Sequence, residues 1–214
     1  MKTKFKTILA LAFIGLGSTT TLMAQAVTLG GITFDDSSIE VAANWLDPMP
    51  VGTTQSFVGF GANEGKIRTI SFSLGGEVAG VKTLKRHVVE AEGGGPIGAG
   101  VEKTEDTWIA FDTEDNARVL KIERSGAIAF EATAAVAPPV YLPANLVEGA
   151  SWDVAGTTVT LEQVMGSRAG YRLKVTYVNA AGESHSDYLH AGEGLKRTES
   201  GLSGWNPKPA ATAE

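Results

Sequence analysis

The sequence predicts an all-β protein of antiparallel meander sheets, in two similar halves that form a curved half-barrel or a sandwich. Three observations predict it. Twenty-six glycines in 214 residues exceed the usual share of about 7 %; they stand singly or in pairs between short runs of valine, isoleucine, threonine and aromatics, as turns stand between strands. Those runs alternate with a period of two, the mark of a half-buried strand. Helical periodicity is confined to one short stretch, "SIEVAANWLD" from Ser38 to Asp47, which Ser38 is placed to cap.

Taken in order, the chain begins with Lys2, Lys4 and Lys6, a short apolar run from Ile8 to Gly17, and small residues up to Ala24 and Ala26. A basic start, a short greasy middle and small residues before the cut form a secretory signal peptide, residues 1–26, with cleavage expected after Ala26. The apolar run is too short to span a bilayer core, which needs roughly 20 helical residues. The expected destination is the periplasm or the cell exterior.

A first meander is expected over residues 27–131. In "KIRTISFSL", Ile70, Phe72 and Leu74 share one face, and strands follow at "TLKRHVVEA", "TWIAFD" and "ARVLKIE". "ATAAVAPPVYLP", residues 132–143, reads as a linker because Pro138 and Pro139 cannot continue a central ladder. The second meander, 144–205, holds "TTVTLEQV", "SHSDYLHA" and "GYRLKVTYV", where Tyr171, Leu173, Val175 and Tyr177 face one way and Arg172, Lys174 and Thr176 the other. Residues 206–214 read as a flexible tail. Each half opens on a proline, a hydrophobe, a glycine and an aromatic ("DPMPVGTTQSF", "LPANLVEGASWDV") and closes on an acid-aromatic strand, so the halves read as one unit used twice.

These same features, "YLP", a leucine-glycine-tryptophan spacing and then "SDYLHAGEGLKR", resemble a diffuse group of exported bacterial all-β proteins of unknown function, whose meander closes on a "GVGLVK"-like turn. "DTWIAFDTEDNARVL" is similar to the "WxAxDxxGNV" hairpin of that group. The resemblance implies an all-β fold and export, and it carries no catalytic residue.

Composition narrows the function classes. The net charge is −6, and the leader's three lysines leave the remainder more acidic still, so nucleic acid and anionic lipid both repel it. The absence of cysteine from the sequence rules out disulfides, thiolate metal sites and cysteine nucleophiles, leaving stability to a packed core. Beyond the leader no run is long enough for a membrane-spanning helix, and no cofactor motif emerges. "GGGPIG", Gly93 to Gly98, has the letters of a dinucleotide loop, but the acidic stretch behind it offers no helix N-terminus to an anion.

Candidate site residues are few. Asp112, Glu114 and Asp115, with Asn116 and Glu123, approach the ligand rhythm of a calcium loop, yet Ala117 stands where that loop needs glycine and both flanks alternate as strands. The stretch therefore reads as a hairpin turn, with a non-standard calcium contact as the sharper alternative. His185 and Asp187 share a strand face, and a zinc site would need His87 to join them. Trp108 and Trp152 sit where strands begin or pair, as core residues do. Trp45 and Trp205 lie beside turns and prolines, where an aromatic can stack on a sugar. The expected function is a non-catalytic binding or structural module, with a small apolar ligand or a glycan on the concave sheet face among apolar side chains. The alternative is an envelope or extracellular polysaccharide hydrolase with paired carboxylates.

Overall fold

A computed structural model describes residues 26–34, 52, 54–93, 100–167, 170–190 and 194–208. The helical candidate at Ser38 to Asp47, Trp45, most of the "GGGPIG" stretch and the leader up to residue 25 lie outside them. The described chain is all-β and antiparallel.

A two-stranded hairpin comes first: β1 (Val27–Leu29) and β2 (Ile32–Phe34). Gly30 and Gly31, at φ +52° and +82°, make the two-residue turn between them, a conformation that glycine adopts without a Cβ penalty. Then follow β3 (Thr54–Phe60), β4 (Lys66–Val78), β5 (Val81–Glu92), β6 (Val101–Phe111), β7 (Ala117–Arg124) and β8 (Ala127–Glu131), each paired with the next. β9 (Val140–Leu142) pairs with β7. A second run, β10 (Ser151–Val154), β11 (Thr157–Ser167), β12 (Gly170–Val178), β13 (Ser184–His190), β14 (Gly194–Ser200) and β15 (Ser203–Pro207), meanders in the same way. The two runs form one sheet, because β15 pairs with β3: Gly204 faces Phe60 and Trp205 faces Gly59 across the seam. The stretch read as a linker thus contains a strand, β9, whose Val140 and Leu142 follow the two prolines.

The sheet curls on itself. Val154 on β10 and Arg124 on β7, near opposite ends of the strand order, line the same cavity. The curl does not close into a barrel; β10 approaches β9 without a ladder between them. Leu146 and Trp152 bridge that gap, packing both against Leu84, Ile109, Phe111, Ala117 and Leu142 and against Val159, Leu161, Leu173 and Val175. Leu189 links the second group to Phe57, Ile70, Phe72, Val88, Leu195 and Trp205. Trp108 is a core residue, as the sequence predicts, whereas Trp152 is partly buried and packs against two of the apolar clusters.

The convex face has its own smaller core. Leu29 and Phe34 of the hairpin pack on Val78, Val81, Trp108, Ala110 and Leu120. Trp108 is anchored there by its indole N–H, which donates to the Gly75 carbonyl at 3.1 Å. A Cβ on Gly75 would stand 2.8 Å from the indole ring and 2.4 Å from Thr83 Oγ1, so the close approach requires glycine. One facing expectation is corrected at this point: Leu74 does not join Ile70 and Phe72 in the core but is 68 % exposed. The register between β4 and β5 shifts between Leu74 and Gly76, and a bulge re-aims the side chains beside it.

Candidate functional site

On β5 the alternation sends Leu84, Arg86, Val88 and Glu90 inward. Leu84 and Val88 serve the apolar core, whereas Arg86 and Glu90 occupy positions of the same parity and must enter the interior with them. β4 contributes Arg68, β6 Glu105 and Thr107, β7 Val119, Ile122 and Arg124, β9 Tyr141, β12 Tyr177, and β13 His185 and Asp187. Together they wall a cavity of about 410 Å³, at the lower end of the range for small-molecule sites. The wall mixes charged side chains with the apolar ones that the sequence led us to expect, among them Val88, Val119, Ile122 and Val154.

Most of the charges are matched in pairs. Arg68 clasps Glu90 through Nε at 3.0 Å and Nη2 at 2.5 Å, and its guanidinium lies 4.5 Å from the Trp205 ring centroid, a cation-π contact. Arg124 donates to Glu105 Oε2 at 2.9 Å, while Arg86 meets Oε1 of the same glutamate only at 3.9 Å. Asp187 accepts the Thr198 hydroxyl at 2.6 Å. Burial alone would lower the Arg86 pKa; the surroundings of Tyr141, Glu105 and Asp187 outweigh it and hold the guanidinium firmly protonated. Tyr177 is pushed well above its ordinary value, first by burial and then by the negative groups near it. Its ring stacks on His185 with centroids 4.6 Å apart and planes 8° from parallel. The His185 pKa is lowered, chiefly by burial, although Asp187 opposes this.

The sequence-predicted residues fall in three places. His185 and Asp187 do share a face, and both line the cavity. His87 does not join them: it alternates with Arg86 and Val88, so it points to the convex face, where its Nδ1 pairs with Asp106 beside Lys85. Among the described residues no three histidine, aspartate or glutamate side chains converge on a metal position.

Asp112 is the centre of a turn. Its Oδ1 accepts the backbone N–H groups of Glu114 and Asn116 at 2.9 Å each, and its Oδ2 accepts Arg118 Nε at 2.6 Å. The Asn116 side-chain amide adds a contact to each oxygen, so the donors of its own turn and the Arg118 guanidinium take up both oxygens of this carboxylate. Asp115 sits at φ +62°, a left-handed position that aspartate tolerates in turns. These contacts belong to a hairpin turn.

Trp205 is corrected as a sugar platform. It is 2 % exposed and packs among Phe57, Ile70, Phe72 and Leu195, so its face is unavailable for stacking on a glycan. Sequence reasoning missed Arg68, Arg86, Glu105 and Tyr141. The signal was present in "LKRHVVEAE", where Arg86 and Glu90 have the parity of Leu84 and Val88.

Compared with known protein families, curated proteins and solved structures, the chain matches none.

Proposed function

We propose that this chain is an exported, non-catalytic binding module that takes a small ligand into the interior of its curled sheet. The observation that carries this reading is the cavity of about 410 Å³, walled by side chains from both meanders and lined by polar and aromatic groups together. The leader's basic, apolar and small-residue segments support export.

The polysaccharide-hydrolase alternative finds less support. It needs one carboxyl held as an acid and another free as base or nucleophile. In this cavity Glu90 is clasped by Arg68, Glu105 is shared by Arg124 and Arg86, and Asp187 is occupied by Thr198.

Native mass spectrometry of the protein recovered from the envelope of an exporting bacterial host tests the reading. The expected spectrum shows a chain beginning at Val27, with a co-purified small mass that a cavity-filling Thr107→Trp variant loses. Retention of the same mass by a folded Thr107→Trp variant would place the ligand elsewhere and end the reading.

A further inference from the structure

Four cations, Arg68, Arg86, Lys103 and Arg124, line the cavity against three carboxylates, Glu90, Glu105 and Asp187. Charge matching therefore favours a ligand with a single negative charge over a cation or a multiply charged anion. The partners of the arginines differ in tightness. Arg68 is held at 2.5 and 3.0 Å by Glu90, and Arg124 at 2.9 Å by Glu105. Arg86 reaches Glu105 only at 3.9 Å, the outer limit of an ion pair, and that glutamate is committed to Arg124.

Position adds to this. Arg86 lines the large cavity and also the small recess next to it, where Ile70, Phe72, Leu142, Leu189 and Leu195 meet the polar groups of Asp187, Tyr141 and Tyr177. It is thus the cation at the inner end, and Val88, Val119, Ile122 and Val154 give apolar surface to the cavity beyond it. The stacked rings of Tyr177 and His185 make one flat side. A guanidinium fork matches the two oxygens of a carboxylate in its own plane.

Resting on the reading of the cavity as a binding site, we infer that its ligand is a small monocarboxylate with a flat apolar body, its carboxylate seated on Arg86 and its body along Tyr177. Displacing the long Glu105 contact costs little, because that glutamate keeps Arg124. The carboxylate gains a charge-assisted, two-pronged hydrogen bond from a guanidinium whose side chain is 16 % exposed.

The test uses three probes of one shape: 2-naphthoate, 2-naphthalenemethanol and 2-naphthylmethylamine, each titrated calorimetrically into the full mature chain. The expected order is naphthoate tightest, the alcohol weaker by tenfold or more, and the amine weakest. Arg86→Lys, which keeps the charge and loses the fork, should weaken naphthoate by tenfold or more while leaving the alcohol within a factor of three. Equal binding of naphthoate and the alcohol would leave the cavity as a site and overturn the carboxylate assignment. Failure of all three probes to bind would overturn the inference, and a co-purified neutral mass from the native spectrum would show that the cavity reading survives without it. The wild-type comparison decides the matter even if the variant does not fold.

Discussion

Arg118 on β7 donates its Nε to Asp112 Oδ2 at 2.6 Å, and this one contact ties a hairpin turn to the end of the sheet. The Asp112 side chain is 3 % exposed and that of Arg118 15 %. The same guanidinium donates to the Pro138 carbonyl at 3.3 Å, and Asn116 Oδ1 accepts the Ala144 N–H at 3.0 Å. The turn thereby fixes the segment that carries β9 and Tyr141 to the cavity wall.

Asp112→Asn should lower stability by about 3 kcal/mol at neutral pH, because it leaves the Arg118 charge buried without its counter-ion. Burial would raise the carboxyl's pKa, but the bonds from Arg118, Asn116 and Glu114 outweigh it and hold it below the ordinary value. The unfolded chain, titrating near 3.9, therefore binds the proton more readily than the folded one. The stabilisation is complete above about pH 5 and drains away as pH falls through the folded value. Urea unfolding across pH 2 to 7 should show wild type and variant converging at the acid end; a gap that stays constant would refute the linkage.

The seam between the meanders depends on Gly204. A Cβ there would stand 2.0 Å from the Thr198 carbonyl oxygen and 2.7 Å from the Phe60 ring, and a backbone oxygen cannot turn aside. Gly204→Ala should cost at least about 2 kcal/mol by overpacking. Hydrogen exchange should quicken first at 57–60 and 204–207, where β3 and β15 pair. Uniform quickening over the whole sheet would mean that the seam is no weaker than its neighbours.

His185 should titrate below the ordinary imidazole value near 6.5, since burial beside Tyr177, Arg68 and Arg86 outweighs the pull of Asp187 and Glu105. The unfolded state then takes up its proton first as pH falls, so this group lowers stability below about pH 6.5 and has no effect well above it. Carbon-13 NMR of the imidazole gives the value directly. Asp187→Asn removes the opposing charge and should lower it further; a rise in that variant would contradict the assignment of Asp187 as the stabilising neighbour.

By itself the sequence determined the all-β class and most of the strands. Glycine punctuation and period-two alternation are local consequences of backbone sterics and pleat geometry, and "GYRLKVTYV" is β12 from its first residue to its last. It also determined that Asp112 to Asn116 is a turn, because a calcium loop would need glycine where Ala117 stands. Only the tertiary structure decided what the inward faces do. A period of two tells that Arg86 and Glu90 share a side with Leu84 and Val88, but whether that side is solvent or interior depends on the curl that sets β10 opposite β7. Trp205 shows the same limit. Beside a proline and a turn it has the local surroundings of an exposed ring, and its burial comes from β3 and β4, more than a hundred residues earlier in the chain. Burial and charge pairing are sums over neighbours brought together by the fold, and no local window of the sequence contains them.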